Sequence, residues 1–238
     1  MKRSPDPPPT EAARFPHERP ILLAVVFGVL VWSGVEPYHR WAWAAEVVWV
    51  AVGLPLVIAT RRRFPLTPLL ERLLALHAVF LAVGGHYTYT RTPPGEWLQE
   101  WLDLSRNPYD RIGHFLQGFV PAILAREVLL RRSPLGRGTW LAFLVVCVCL
   151  AFSAFFELLE WWAAVFTGAG REGALAEQGD PWDTQWDMFS CLLGAVASLV
   201  LLSRRHDREL ATTTRRSDRS ESHDCRTSSE PPSASRLS

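Results

Sequence analysis

The chain is 238 residues long, carries 25 basic and 24 acidic side chains for a net charge of +1, and is 48% hydrophobic. That length holds one ordinary domain or two small ones, and the near-zero charge excludes a nucleic-acid binder driven by a basic surface. Collagen, a disulfide scaffold and global disorder are excluded as well, while the mean hydropathy of +0.05 suggests a soluble protein only because it averages very unlike segments.

Residues 1–19 are rich in Pro and charge and too poor in large apolar side chains to offset the entropy of ordering them, which predicts a disordered tail. From 20 to 203, charge-poor apolar runs recur at 21–35, 47–60, 73–85, 112–130, 140–166 and 188–203. With its flanks, each reaches the roughly 20 residues that cross about 30 Å of hydrocarbon. The pattern predicts an all-α, multi-pass transmembrane helical bundle of about six spans in a lipid bilayer. The second span is the weakest, interrupted by Glu46 and Pro55, and the third is short, with Glu71 and Arg72 at its start. A soluble bundle would show a polar stripe, whereas 141–156 contains no charge and one hydroxyl. Residues 204–238 read as a second disordered tail.

With the N-terminus in the cytoplasm, Arg61, Arg62, Arg63, Arg131, Arg132, Arg137 and the basic start of the C-terminal tail all fall inside, as the positive-inside rule requires. Both termini are then cytoplasmic. Between the tails, every carboxylate except Glu71 and Glu127 falls on the outer side or in the outer half of a helix. Cys147, Cys149 and Cys191 lie in apolar runs and Cys225 in the tail, so no outer disulfide is expected.

The outer ends of four successive spans carry ionisable residues at one depth. His86 ends span three. Asp110 and His114 open span four at i, i+4, Glu157 and Glu160 are i, i+3 in span five, and Asp183 and Asp187 are i, i+4 at the start of span six. Facing lipid at the helix centre, each charge would cost about 2.5–3.5 kcal/mol, so these groups are expected to face one another. Like charges that close need a cation or shared protons. A divalent metal ion held by His86, Asp110, His114, Asp183 and Asp187, with Glu157 and Glu160 as catalytic carboxylates, fits the inward ligands of helical-bundle metal sites, and imidazole plus carboxylate suits Zn, Mn or Fe. The bland alternative is a network of interhelical ion pairs, Arg111 with Asp183 for example.

Between spans three and four, Trp97, Leu98, Trp101 and Leu102 recur at helical spacing opposite Glu96, Glu100 and Asp103, which predicts a short interfacial helix, either a lid or part of a tryptophan belt. The glycine-rich loop 167–181 is expected to move. Arg126 and Glu127 need only snorkelling or pairing, and Gly194, Ala195 and Ser198 form a small-residue face on span six.

At GGHYTY, NPYDRIGHFLQGFVPAILARE, AFSAFFELLEWW and GDPWDTQWDM the sequence resembles the YjdF-type family of bacterial inner-membrane proteins of unknown function, over roughly residues 20–203. The resemblance implies a multi-pass plasma-membrane protein without an established reaction. More distantly, Asp110, Arg111 and His114, Glu157 and Glu160, and Asp187 resemble the pattern of VanZ-like membrane proteins, some of them linked to glycopeptide resistance. Arg111 stands here where lysine is usual, and Glu160 where glutamine is common.

The one-sided cluster predicts metal-assisted hydrolysis or transfer on a lipid-linked or cell-envelope substrate at the outer face, with Glu160 as general base. A proton- or cation-coupled transporter and a non-catalytic membrane scaffold are the alternatives.

Overall fold

The computed structural model describes residues 17–167 and 180–228, with side chains as far as Thr213; the glycine-rich loop lies mostly outside these residues. Among the described residues the chain is all-α: α1 (Glu18–Ser33), α2 (Arg40–Thr60), α3 (Pro68–Tyr87), α4 (Pro93–Trp101), α5 (Tyr109–Arg132), α6 (Thr139–Thr167) and α7 (Asp183–Ser228). A single 3-10 turn, Tyr89–Arg91, joins α3 to α4. The interfacial helix expected from the tryptophan spacing is α4, whose Trp97 and Trp101 are 70% and 81% exposed.

Among the described residues, four helices are long and apolar enough to cross a membrane: Arg40–Thr60, Pro68–Tyr87, Thr139–Phe166 and Asp183–Thr213. The two segments expected to be weakest, α2 and α3, are among them, and Glu46 and Pro55 interrupt neither the helix nor its apolar character. Instead α1, at 16 residues, is short. The 24 residues of α5 are long enough but too polar, because this helix is the centre of the bundle. It packs on α3, α6 and, most extensively, α7. Its buried face carries Asp110, His114, Arg126 and Glu127, which other helices shield from lipid.

The α5–α7 seam depends on two glycines. A Cβ on Gly118 would come within 1.9 Å of the Cys191 carbonyl oxygen, and one on Gly194 within 2.0 Å of the Phe115 carbonyl oxygen. The two backbones touch, which is what the small-residue face on α7 makes possible. Ala122, Leu141, Val145, Cys149, Cys191 and Ala195 complete a buried apolar layer there.

Successive long helices run in opposite directions. Arg19 pairs with Glu71 at 2.7 Å and Arg72 with Glu18, so α1 and α3 begin together, and His86 Nδ1 lies 3.1 Å from the Ser33 carbonyl where both end.

From Asp183 to Ser228 α7 runs unbroken, through residue 204 where composition suggests the start of a tail. His206, Glu209 and Leu210 are buried. Composition shows a run of charge here but not its partners, which other helices supply. Arg126 Nη2 and Arg137 Nε each donate to Asp207 Oδ1 at 2.8 Å, and Glu209 Oε2 accepts the Leu69 N–H at 2.6 Å, satisfying one of the free donors at the start of α3. Glu127, fully buried, accepts from Thr67 Oγ1 and Arg131 Nη1, both at 2.8 Å. Snorkelling has no part in this; Arg126 and Glu127 are the core of a polar layer that closes the His206 end of the bundle.

Candidate metal centre

At the opposite end, α5 and α7 both begin, and their first two turns place three ionisable side chains together. The i, i+4 spacing puts Asp110 and His114 on the buried face of α5, and Asp187 enters from the second turn of α7. One ligand atom from each of Asp110, His114 and Asp187 lies within 4.8 Å of the other two, and all three residues are buried. His114 Nε2 is 3.7 Å from Asp110 Oδ1 and 3.7 Å from Glu157 Oε1 on α6. Its other nitrogen, Nδ1, lies 3.0 Å from Gln117 Oε1. An amide oxygen only accepts, so Nδ1 carries a proton and Nε2 is the nitrogen turned toward the carboxylates. A second-sphere hydrogen bond of this kind orients an imidazole for metal ligation.

Asp187 Oδ1 and Glu157 Oε1 are buried without a hydrogen-bond partner among the described residues. Such orphans are rare because each costs about 1–3 kcal/mol. Both oxygens lie on the carboxylates that share this space with His114.

Two other residues expected to be ligands are occupied elsewhere. His86 packs at a tilt against Trp32, with ring centroids 4.5 Å apart, and contacts the Ser33 carbonyl through Nδ1, tying α3 to α1. Asp183 accepts a hydrogen bond from Arg106. The anticipated Arg111–Asp183 pair is replaced by two others: Arg106 serves Asp183, while Arg111 Nη2 donates to Asp180 Oδ2 at 2.6 Å. The reason is position, since Arg111 extends over the Trp186 ring toward the start of α7, 5.4 Å from its centroid.

Arg106 also approaches Asp110 at 3.6 Å and Asp180 at 3.8 Å. Burial works against its charge, but the hydrogen bond to Asp183 and the nearby carboxylates of Asp110 and Asp187 outweigh that and hold its pKa above the ordinary guanidinium value. The spacing of ionisable residues along the helices passes over Arg106. The signal that could have found it is its i, i+4 relation to Asp110, just ahead of the helix. Next to it, Asn107 Oδ1 accepts the Tyr109 N–H at 3.0 Å and fixes the first turn of α5.

Glu46 joins the same end of the bundle from α2. Its Oε2 accepts the Tyr89 hydroxyl at 2.8 Å. Its depth in span two matches that of the carboxylates in span five, a signal hidden by treating it as an interruption.

The family model described as "Predicted membrane protein (DUF2238)" matches residues 19–208. The chain is similar to the protein "Inner membrane protein YjdF" of Escherichia coli (strain K12), with 51% identity over 182 residues, 76% of this chain and 87% of that protein. No solved structure matches it.

Proposed function

The chain belongs to the DUF2238 family of predicted membrane proteins, and on that premise we propose a metal-assisted hydrolase or transferase. It is a multi-pass inner-membrane protein. In this reading six helices cross the bilayer, both termini are cytoplasmic, and the Asp110 end of the bundle faces outward onto a lipid-linked or cell-envelope substrate. The concentration of arginines at the opposite end supports that orientation.

The observation that carries the reading is the buried meeting of Asp110, His114 and Asp187, with an Asp187 oxygen left without a partner. Those three would hold the cation, with Glu157 beside His114 as a further ligand. A divalent cation there, Zn, Mn or Fe, supplies Lewis-acid polarisation of the scissile group. Glu160, one turn farther out on α6, would take the proton from the attacking water or alcohol and return it to the leaving oxygen. Arg106 and Arg111 hold Asp183 and Asp180 at the mouth, which keeps the first turns of α5 and α7 in register. The tight Gly118–Gly194 seam favours an enzyme over a transporter, because the backbones meet where a path along α5 and α7 would have to run.

Metal analysis of the purified protein tests this. The expected result is stoichiometric metal in the wild type and its loss in His114→Ala and Asp187→Ala. A wild-type protein that takes up no stoichiometric Zn, Mn or Fe overturns it.

A further inference from the structure

At the His206 end of the bundle, a cavity of about 290 Å³ opens between the start of α6 and α7. The two helices run in opposite directions, so its lining changes with depth. Gly138 and Ser203 lie at one end, with the head of Arg126, which reaches His206 and Asp207. About one turn farther into the span the walls are Leu141, Ala142, Leu199 and Val200. Val200 is 75% exposed, so the cavity opens on the flank of a membrane-spanning helix. At the polar end there is room: a Cβ on Gly138 would meet nothing within 4 Å.

Positive charge is in excess beside that polar end. Arg126 Nη2 and Arg137 Nε donate to the same atom, Asp207 Oδ1, so one carboxylate faces two guanidiniums. The other acids of this layer are engaged elsewhere, Glu127 with Arg131 and His206, and Glu209 with Arg205. The remaining partner of Arg126, the His206 ring, brings no negative charge. Arg204, exposed and next to Ser203 in the chain, adds another cation at the rim. A second anion here would give each guanidinium a partner, and arginine matches phosphate oxygens particularly well.

Depth in the membrane points to the source of that anion. Trp140, two residues from Gly138, is 73% exposed, and exposed tryptophans of membrane proteins collect at headgroup level. The polar end of the cavity is therefore level with phospholipid headgroups, and its apolar walls are level with the first part of the acyl chains. A free phosphate would leave those walls unused, and a lipid without net charge would leave the second guanidinium unmatched. Basic pockets between membrane helices bind anionic headgroups in this way.

We propose that the cavity is a site for an anionic phospholipid of the surrounding leaflet. Its phosphate lies beside Arg126 and Arg137, and one acyl chain begins along Leu141, Ala142, Leu199 and Val200. The lipid joins the start of α6 to α7 at the end of the bundle away from the Asp110–His114–Asp187 group and is independent of any metal there.

The test uses full-length protein, delipidated in detergent and titrated with dioleoylphosphatidylglycerol or dioleoylphosphatidylethanolamine. Native mass spectrometry counts lipids per chain, and melting curves run alongside. One phosphatidylglycerol per chain, held in preference to phosphatidylethanolamine and raising the melting temperature, is expected. Arg137→Gln is expected to weaken its binding about fivefold, the attraction one arginine adds near an anionic lipid. Arg62→Gln, at an exposed arginine between α2 and α3, is expected to leave it unchanged. Ala142→Phe and Val200→Trp enlarge the apolar walls and are expected to reduce it. Equal retention of the two lipids overturns the proposal, and so does equal weakening by Arg137→Gln and Arg62→Gln, which would mean attraction to a basic face at large. Full phosphatidylglycerol binding in folded wall variants overturns it as well. Should neither wall variant fold, competition by glycerol phosphate decides: displacement at concentrations matching the lipid would mean that the walls contribute nothing and would refute a phospholipid site.

Discussion

Arg126 Nη1 lies 2.8 Å from His206 Nδ1 in the buried layer at the far end of the bundle. A guanidinium only donates, so Nδ1 must accept and the ring proton resides on Nε2, which faces Glu127 Oε2 at 3.1 Å. The histidine thereby joins Arg126, which also donates to Asp207, to Glu127, which also accepts from Thr67 and Arg131.

Replacing His206 with Ala is expected to lower stability by about 1–3 kcal/mol for each group it leaves unsatisfied. Thermal unfolding in detergent measures this. An unchanged midpoint would show that Arg126 and Glu127 find other partners.

Asp183 and Asp187 belong to one sequence motif but have different jobs. Asp183→Asn is expected to weaken the tie to Arg106 and lower the melting temperature while metal content stays at the wild-type level. Asp187→Asn is expected to reduce metal content. Equal metal loss in the two variants would place Asp183 among the ligands.

Gly118→Ala and Gly194→Ala each drive a methyl into a carbonyl oxygen across the α5–α7 seam. Overpacking of this kind costs about 1–3 kcal/mol and more where backbone must move. Gly28→Ala and Gly53→Ala meet open space and serve as controls, with no loss expected from crowding. A comparable drop in all four melting temperatures would argue against a contact-specific effect.

Thr88 sits at φ 64° and ψ 144°, a backbone conformation that penalises a β-branched residue by about 1–3 kcal/mol. It turns the chain out of α3 so that Tyr89 reaches Glu46. Thr88→Gly is expected to recover much of that strain, read as a rise in the unfolding midpoint. A fall would mean that the threonine side chain makes a compensating contact.

Much of this was legible in the sequence. Each of the six apolar runs falls in a helix, four of them among the described residues long and apolar enough to cross a membrane, the tryptophan spacing became α4, and the i, i+4 spacings helped bring Asp110, His114 and Asp187 to one place. Depth along a helix can be counted from sequence, but rotation about its axis depends on packing. His86 has the right depth, yet α3 turns it toward α1. Glu46 was hidden for the opposite reason, since counting apolar residues treats a carboxylate paired with Tyr89 as a defect. The helical start of the expected tail could not be read at all, because its partners Arg126, Glu127 and Arg137 are some 70 residues or more away in the chain.

The two polar layers also act as a ruler. One uninterrupted helix, α7, contains both Asp187 and His206, and the 19 residues between those positions rise about 28 Å. That is close to the thickness of a bilayer's hydrocarbon core and on its thin side. Neither layer can retreat, since each is fastened to α5 as well as α7. In a membrane of longer acyl chains the lipid must compress around the protein or the bundle must tilt, so acyl-chain length bears directly on the packing of the Asp110–His114–Asp187 end.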